Sequence, residues 1–374
     1  MLIRISNLKK RDFSILYYVM ILAVLVYALA SAQPSAPASA ETQYNWEGIL
    51  NAIFRERNAL LLAGDTEKLK AMYAPDEQNS KWAIALETIR AAHLMEWSAR
   101  QGVSFTGISS ELVIKRVRRV GRGYAFYVMA CTTYTYAYEN LPEKENTFRI
   151  GTYHSLDLIP GSKEDSWVIS REWYLDPFQD ALSQDAEDIA KIRQYVLAQP
   201  ERDFSGISEH RQKAVAYADR YAGAASDGQN GYAYNGAYPN FISDGDCGNY
   251  VSQSLHESGF ATGYGWNFDS DEATRSWCNA AGLEGYLVWS GKAYVIAQGA
   301  YKKVYPYAYQ LAPGDVIAYV QKGKIVHVAL VTGADSRGYA LVNSHTTDRF
   351  RVPWDLGWNS ANNKFILLRV NYPS

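Results

Sequence analysis

The stretch Ser243-Asp244-Gly245-Asp246-Cys247-Gly248-Asn249-Tyr250-Val251-Ser252-Gln253-Ser254-Leu255 decides how the chain is read. Turn residues lead to Asp246, a residue type that caps helices, and positions suited to burial then recur at Tyr250, Val251, Ser254 and Leu255. The spacing predicts a short helix that opens at Cys247 and stops at Gly259. A thiol there sits on the positive end of the helix, which stabilises a thiolate and makes the sulfur a nucleophile near neutral pH. The plainer alternative is a cysteine that is merely buried.

Toward the C-terminus, Leu311 to Tyr319 reads as a turn feeding a strand, and Ile325-Val326-His327-Val328-Ala329-Leu330-Val331 follows as a second strand after the Gly323 turn. His327 is the only titratable group in that apolar strand, and a buried imidazole is explained either by a catalytic base or by a core histidine satisfied by a carbonyl. A third strand runs through Tyr339-Ala340-Leu341-Val342-Asn343-Ser344-His345. A hairpin closing through the loop Gly333 to Gly338 puts His327 opposite Ser344, and a slip of one residue brings Asn343 or His345 there. Asn343 and His345 share a strand face, and a polar group beside the second ring nitrogen is what orients a catalytic base.

Cysteine, then histidine on a strand, then a polar residue on the next strand is the order of a papain-like cysteine hydrolase. The chain resembles the family described as the putative amidase domain, related in plan to CHAP and NlpC-type cell-wall peptidases. The resemblance rests on Arg211 to Ala218 with Arg220-Tyr221, Asp246 to Gln253, Ser276-Trp277, Pro313 to Ile317, His327 to Gly333, and His345 to Arg349. It implies Cys247 as nucleophile, His327 as base and His345 as the orienting residue, with Asn343 as alternate third residue. The family pattern more often has Thr where Gly248 stands and Ser where Val328 stands; neither supplies the nucleophile or the base.

The chemistry expected is an amide cut through a thiol acyl-enzyme, with the Cys247 N–H stabilising the oxyanion. The expected substrate is a peptide or peptidoglycan-like polymer. The rivals are a non-catalytic wall-binding module of the same fold and a papain-like acyltransferase. No cofactor is expected: Asp244 and Asp246 lack histidines at ligand spacing, so no metal is assigned and Asp246 is read as the helix cap. Trp266, Trp277, Trp289, Tyr232, Tyr234 and Tyr238 flank the expected cleft in sequence and suit either a sugar or peptide wall or an aromatic core.

Upstream, Trp46, Ile49, Leu50, Ile53 and Phe54 predict a helix ended by Gly64, and Trp82, Leu86, Ile89, His93 and Trp97 a second one up to Gly102. The period then changes to two: Tyr124, Phe126, Val128, Ala130, Thr132, Tyr134 and Tyr136 share one face of a long strand after the turn Gly121-Arg122-Gly123. Helices followed by a strand meander predict an α+β accessory domain over 44–180, similar in layout to cystatin-like or nuclear-transport-factor-like cones, and no chemistry is read there. Cys131 reads as a small buried hydrophobe, and Lys115, Arg116, Arg118, Arg119 and Arg122 as the solvated surface of a hairpin. A helical linker over 181–206 closes at Pro200, and the α+β papain-like domain occupies 207–374.

Arg4, Lys9, Lys10 and Arg11 precede the apolar run Ser14 to Ala30 and the small residues that follow, so 1–32 reads as a secretory signal or retained membrane anchor and 33–43 as a flexible tether. The expected location is secreted or extracytoplasmic, with membrane attachment if the segment is retained. Lys plus Arg number 37 against 39 Asp plus Glu, a formal charge of −2 that argues against nucleic-acid binding. Three cysteines permit at most one disulfide and no disulfide framework. At 374 residues the length suits two domains, and oligomeric state is not fixed by the sequence.

Overall fold

The computed structural model describes residues 44–75, 78–163, 166–175, 177–178, 186–226, 228, 231–241, 245–270, 272–358 and 362–373. The expected signal and tether (1–43), and Asp244 with them, lie outside the described residues. No helix among the described residues is long and apolar enough to cross a membrane.

The protein is a mixed α+β structure around one large antiparallel sheet. Helices α1 (Trp46–Ala63), α2 (Thr66–Ala71) and α3 (Gln78–Gln101) precede the meander β1 (Val103–Val120), β2 (Gly123–Tyr138), β3 (Leu141–Pro160) and β4 (Trp167–Trp173). The period-two row on β2 pairs with β1 and β3 along almost its whole length, and both of its faces are largely buried. Cys131 is buried there as expected, under the 3-10 turn Gly223–Ala225 that follows α5 (Glu209–Arg220). Gly151 on β3 has no room for a side chain, because a Cβ would lie 2.4 Å from the backbone of Ala224.

The second half supplies α6 (Cys247–Glu257), α7 (Arg275–Cys278), α8 (Ala280–Trp289), β5 (Ala293–Gly299), α9 (Tyr301–Ala308), β6 (Val316–Gln321), β7 (Lys324–Ala334), β8 (Ala340–Ser344), β9 (Asp348–Pro353) and β10 (Asn363–Val370). The strand order is β1-β2-β3-β9-β8-β7-β6-β10-β5, with β4 also on β3. The halves therefore join inside the sheet, where Arg149, Ile150 and Gly151 pair with Phe350, Arg349 and Asp348. The segment expected as a linker holds α4 (Ala186–Leu197), whose Ile192 and Val196 are buried in the same core cluster as Trp97, Tyr136, Val331 and Trp354.

The sheet's two faces carry different cores. Ile317, Tyr319, Ala329 and Val331 face the cluster shared with the first half, whereas Val316, Ala318, Val328 and Leu330 face α5, α6 and α8. One sequence expectation is corrected in α3. Trp82 is 67% exposed and Ile89 is also exposed, while Glu87 and Arg90 are buried. The reason is a buried ion network: Arg57 donates to both oxygens of Glu172 at 2.7 and 2.9 Å, His154 bonds the same carboxylate at 2.7 Å, and Tyr174 donates to Glu87 at 2.6 Å. Opposite charges that satisfy one another can occupy a core face that a purely apolar pattern does not mark.

Candidate active site

The helix start expected at Cys247 is present, and α6 is buried on every side from Cys247 to Leu255. Its polar side chains are satisfied internally. Asn249 donates to the Pro239 carbonyl and to Asp246, Trp277 donates to Asn249 at 2.7 Å, Ser252 bonds the Trp277 carbonyl and receives the Trp266 N–H, and Tyr217 donates to Gln253. Trp266 and Trp277 are thus core residues that lock the helix, while Trp289 is 88% exposed. Gly248, where the resembling family has Thr, is held against α7: a Cβ there would lie 2.6 Å from the Cys278 carbonyl oxygen.

Burial pushes the Cys247 thiol up to about 11, with the charge of Asp246 adding to it, while the backbone N–H groups of Val328, Gly248 and Cys247 itself pull the other way. Of these, Val328 is the residue after His327 on β7. Pairing between β7 and β8 runs only as far as Leu330 with Asn343, so the N–H of Val328 lies beyond the paired part of β8.

His327 is buried, and its ring lies 5.0 Å from that of Trp358 in a stacked arrangement and 5.4 Å from Tyr319. Tyr319 places it on the sheet face opposite Val328. Nε2 of His327 is buried without a hydrogen-bond partner among the described residues, and the ring lines a cavity of about 380 Å³ with Lys322, Thr346, Thr347, Arg349 and Trp358. Burial, then the charge of Arg349, lowers its pKa to about 3. No hydrogen bond joins Cys247 to His327 among the described residues.

The two candidates for the third residue are engaged elsewhere. The register is displaced by two from the simple hairpin, because Leu330 pairs with Asn343, a bulge lies between Val331 and Gly333, and the turn closes from Asp335 to Tyr339. Asp335 sets that turn: its carboxylate accepts the N–H groups of Arg337 and Tyr339 and the hydroxyls of Tyr136 and Tyr138. Asn343 accepts from Thr332 at 2.9 Å and from the Arg351 N–H at 2.7 Å, and donates to Asp219 at 2.9 Å. It braces the bulge rather than His327.

His345 donates from Nδ1 to Asp246 at 2.6 Å and from Nε2 to the Tyr221 carbonyl at 2.7 Å. With a carbonyl on one side and a carboxylate on the other, the ring bonds both as the doubly protonated imidazolium. Burial opposes that charge, but the bond to Asp246, the carboxylates of Asp348 and Asp246 and the Tyr221 carbonyl override it and raise the pKa. Asp246 accordingly departs from the expected role. It stands at the N-cap position, but its side chain makes no capping bond to the helix backbone; it accepts from His345, from Asn249 and from the Phe241 N–H.

Sequence reasoning missed the role of Asp348, buried three residues after His345. Burial raises its pKa despite His345, the Tyr234 hydroxyl at 2.5 Å and the Ala224 N–H at 2.8 Å. It also missed Thr346 and Thr347, both in the left-handed region at φ 60° and 68°, a conformation that costs a β-branched residue. Thr346 accepts the Asp246 N–H at 2.7 Å, so the β8–β9 turn is tied directly to the start of α6. The motif His345-Thr346-Thr347-Asp348 carried that signal without showing what it touches.

No curated protein and no solved structure matches the chain. Residues 208–368, which carry α6 and β7 to β9, match the family model described as "Putative amidase domain", so this half of the chain holds an amidase-like domain.

Proposed function

We propose that this protein hydrolyses an amide bond through the thiol of Cys247, with His327 as the base. The observation that carries the reading is the position of the buried Cys247 at the start of α6, packed in one cluster with Val328, the residue after His327 on β7, inside the stretch that matches the amidase-like family model. The reaction requires His327, which rests on the sheet face opposite Val328, to leave its Trp358 stack and reach the Cys247 side of β7, where it takes the thiol proton. The thiolate then adds to the carbonyl carbon, with backbone N–H groups at the helix start receiving the oxyanion. The imidazolium returns the proton to the departing amine, and water cleaves the thioester to release the acid and restore the thiol. His345 acts as a positioning residue, holding Asp246 and with it the turn that presents Cys247. Export through 1–32 and a peptide or peptidoglycan-like substrate belong to the same proposal.

Purified protein incubated with cell-wall stem peptides should release free amines, and Cys247→Ala should abolish the release with an unchanged melting temperature. Retention of most of the activity in Cys247→Ala would remove the nucleophile. A second reading draws on the buried thiol near 11 and the imidazole near 3, a resting pair in which both groups are neutral at pH 7: a module that holds wall peptide without cutting it. Iodoacetamide labelling of Cys247 against pH separates the two. A working dyad gives a limb well below 9 that disappears in His327→Ala, and a binding module gives one high midpoint that His327→Ala leaves in place.

A further inference from the structure

The cavity beside His327 does not end there. A second cavity of about 190 Å³ shares Leu175, Thr346 and Thr347 with it, so the two are lobes of one cleft that runs over the Thr346-Thr347 turn. The far lobe is walled by Tyr153, Trp173 and Leu175 from the first half of the chain and by Tyr234 from the second. Trp173 is 64% exposed and Leu175 45%, large apolar side chains left open to solvent at the rim. Asp348 in this lobe is taken by the Ala224 N–H and the Tyr234 hydroxyl, Asp246 by His345, Asn249 and the Phe241 N–H, and the Thr346 hydroxyl by the Asp246 N–H. With these polar groups already engaged, the lobe offers a ligand chiefly apolar and aromatic surface. A sugar ring would bring hydroxyls without partners, whereas an apolar side chain loses nothing on entry.

We infer that the far lobe is a specificity pocket in which Trp173 receives an aromatic or large aliphatic side chain of the amide substrate, next to the bond presented at His327. The inference rests on the amide-hydrolase reading for the identity of the bond, but binding tests it independently of hydrolysis. The strained pair Thr346-Thr347 forms the saddle between the lobes, and its cost is explained if the turn must lie low enough for a substrate to cross. The first half of the chain is thereby part of the substrate site.

The experiment is calorimetric titration of full-length Cys247→Ala protein with N-acetyl-phenylalaninamide and with N-acetyl-glycinamide, repeated with Trp173→Ala and Trp173→Phe added. The phenylalanine ligand should bind at least about tenfold more tightly than the glycine ligand, the added Trp173→Ala should remove most of that difference, and Trp173→Phe should keep it. Because Trp173 is mostly exposed, the melting temperature should not move. Equal affinity for the two ligands, no binding of either, or an equal loss on both in Trp173→Ala would overturn the pocket. If discrimination holds while wild-type protein cuts no amide, the hydrolase reading fails and the pocket stands; if Cys247 cuts amides without discrimination, the reverse holds.

Discussion

His327 and His345 lie three and two residues from the end of the same β7–β8 pairing; burial lowers the pKa of both, but the bond to Asp246, the carboxylates of Asp348 and Asp246 and the Tyr221 carbonyl raise that of His345. The folded pKa of His327 falls from 6.5 to about 3, so the unfolded chain binds the extra proton first. Its contribution is fully present above 6.5 and is lost as pH falls toward 3, with a slope of up to about 1.4 kcal/mol per pH unit. His345 has a raised pKa, so its contribution is present below the unfolded value and is lost as pH rises through the folded one. Urea midpoints measured from pH 4 to 9 should show His327→Gln flattening the acid limb and His345→Gln the alkaline limb; an unchanged acid limb in His327→Gln would mean that the ring is not held neutral. Gly248 makes a second prediction at this scale. Gly248→Thr, toward the family pattern, forces a Cβ against the Cys278 carbonyl and should cost about 1–3 kcal/mol in thermal or urea unfolding, and Gly248→Ala should cost nearly as much because the Cβ itself is the clash.

At the scale of elements, what was legible in the sequence was whatever local pattern controls. The helix opening at Cys247, the turn at Gly121-Arg122, the long β2 and the strand order β6-β7-β8 follow from caps, glycines and alternation. What was not legible depends on partners far away in the chain. The β7–β8 register is set by Asp335 reaching Tyr136 and Tyr138 about two hundred residues earlier, and the buried face of α3 by Glu87 meeting Tyr174, Arg57 and Arg90. The roles of Asn343 and His345 moved with that register. Asn343→Ala should therefore act on the hairpin, lowering stability by about 1–3 kcal/mol through the loss of its bonds to Thr332, Arg351 and Asp219 while the folded protein keeps the turnover of the proposed reaction. A stable Asn343→Ala protein with turnover reduced a hundredfold or more would instead return it to the side of His327, the proposed base. Arg57→Ala in α1 should cost about 3–5 kcal/mol by leaving the buried Glu172 without its arginine, whereas the exposed Trp82→Ala in α3 should change stability by less than about 0.5 kcal/mol.

At the scale of the whole molecule, the length suggests two domains, and the structure joins the two halves through one sheet and one of its core clusters. Beyond the β3–β9 pairing, the joint contains Arg100 paired with Asp355, the Trp97 indole on the same carboxylate at 3.3 Å, Gln101 bonded to Tyr301 and Tyr339 at 3.1 Å each, and the Gly357 N–H on His93 at 3.1 Å. Cutting the chain between the halves would leave Asp355 as a buried carboxylate without its cation and would expose the edge of β9 along with the apolar face of Val331, Val342 and Trp354. Each of these losses is of the costly kind, an unpaired buried charge or an open strand edge. Residues 207–374 expressed alone should therefore aggregate or melt well below the full chain, although this fragment contains the entire family match. Co-expression with residues 44–206 should restore a soluble complex with a single cooperative transition, because the missing partners are non-covalent and return with the fragment. A soluble 207–374 that melts at the temperature of the full chain would show that the joint is a contact between two self-sufficient cores. It would also predict that Trp173 can be removed with its whole half while Cys247 remains reactive.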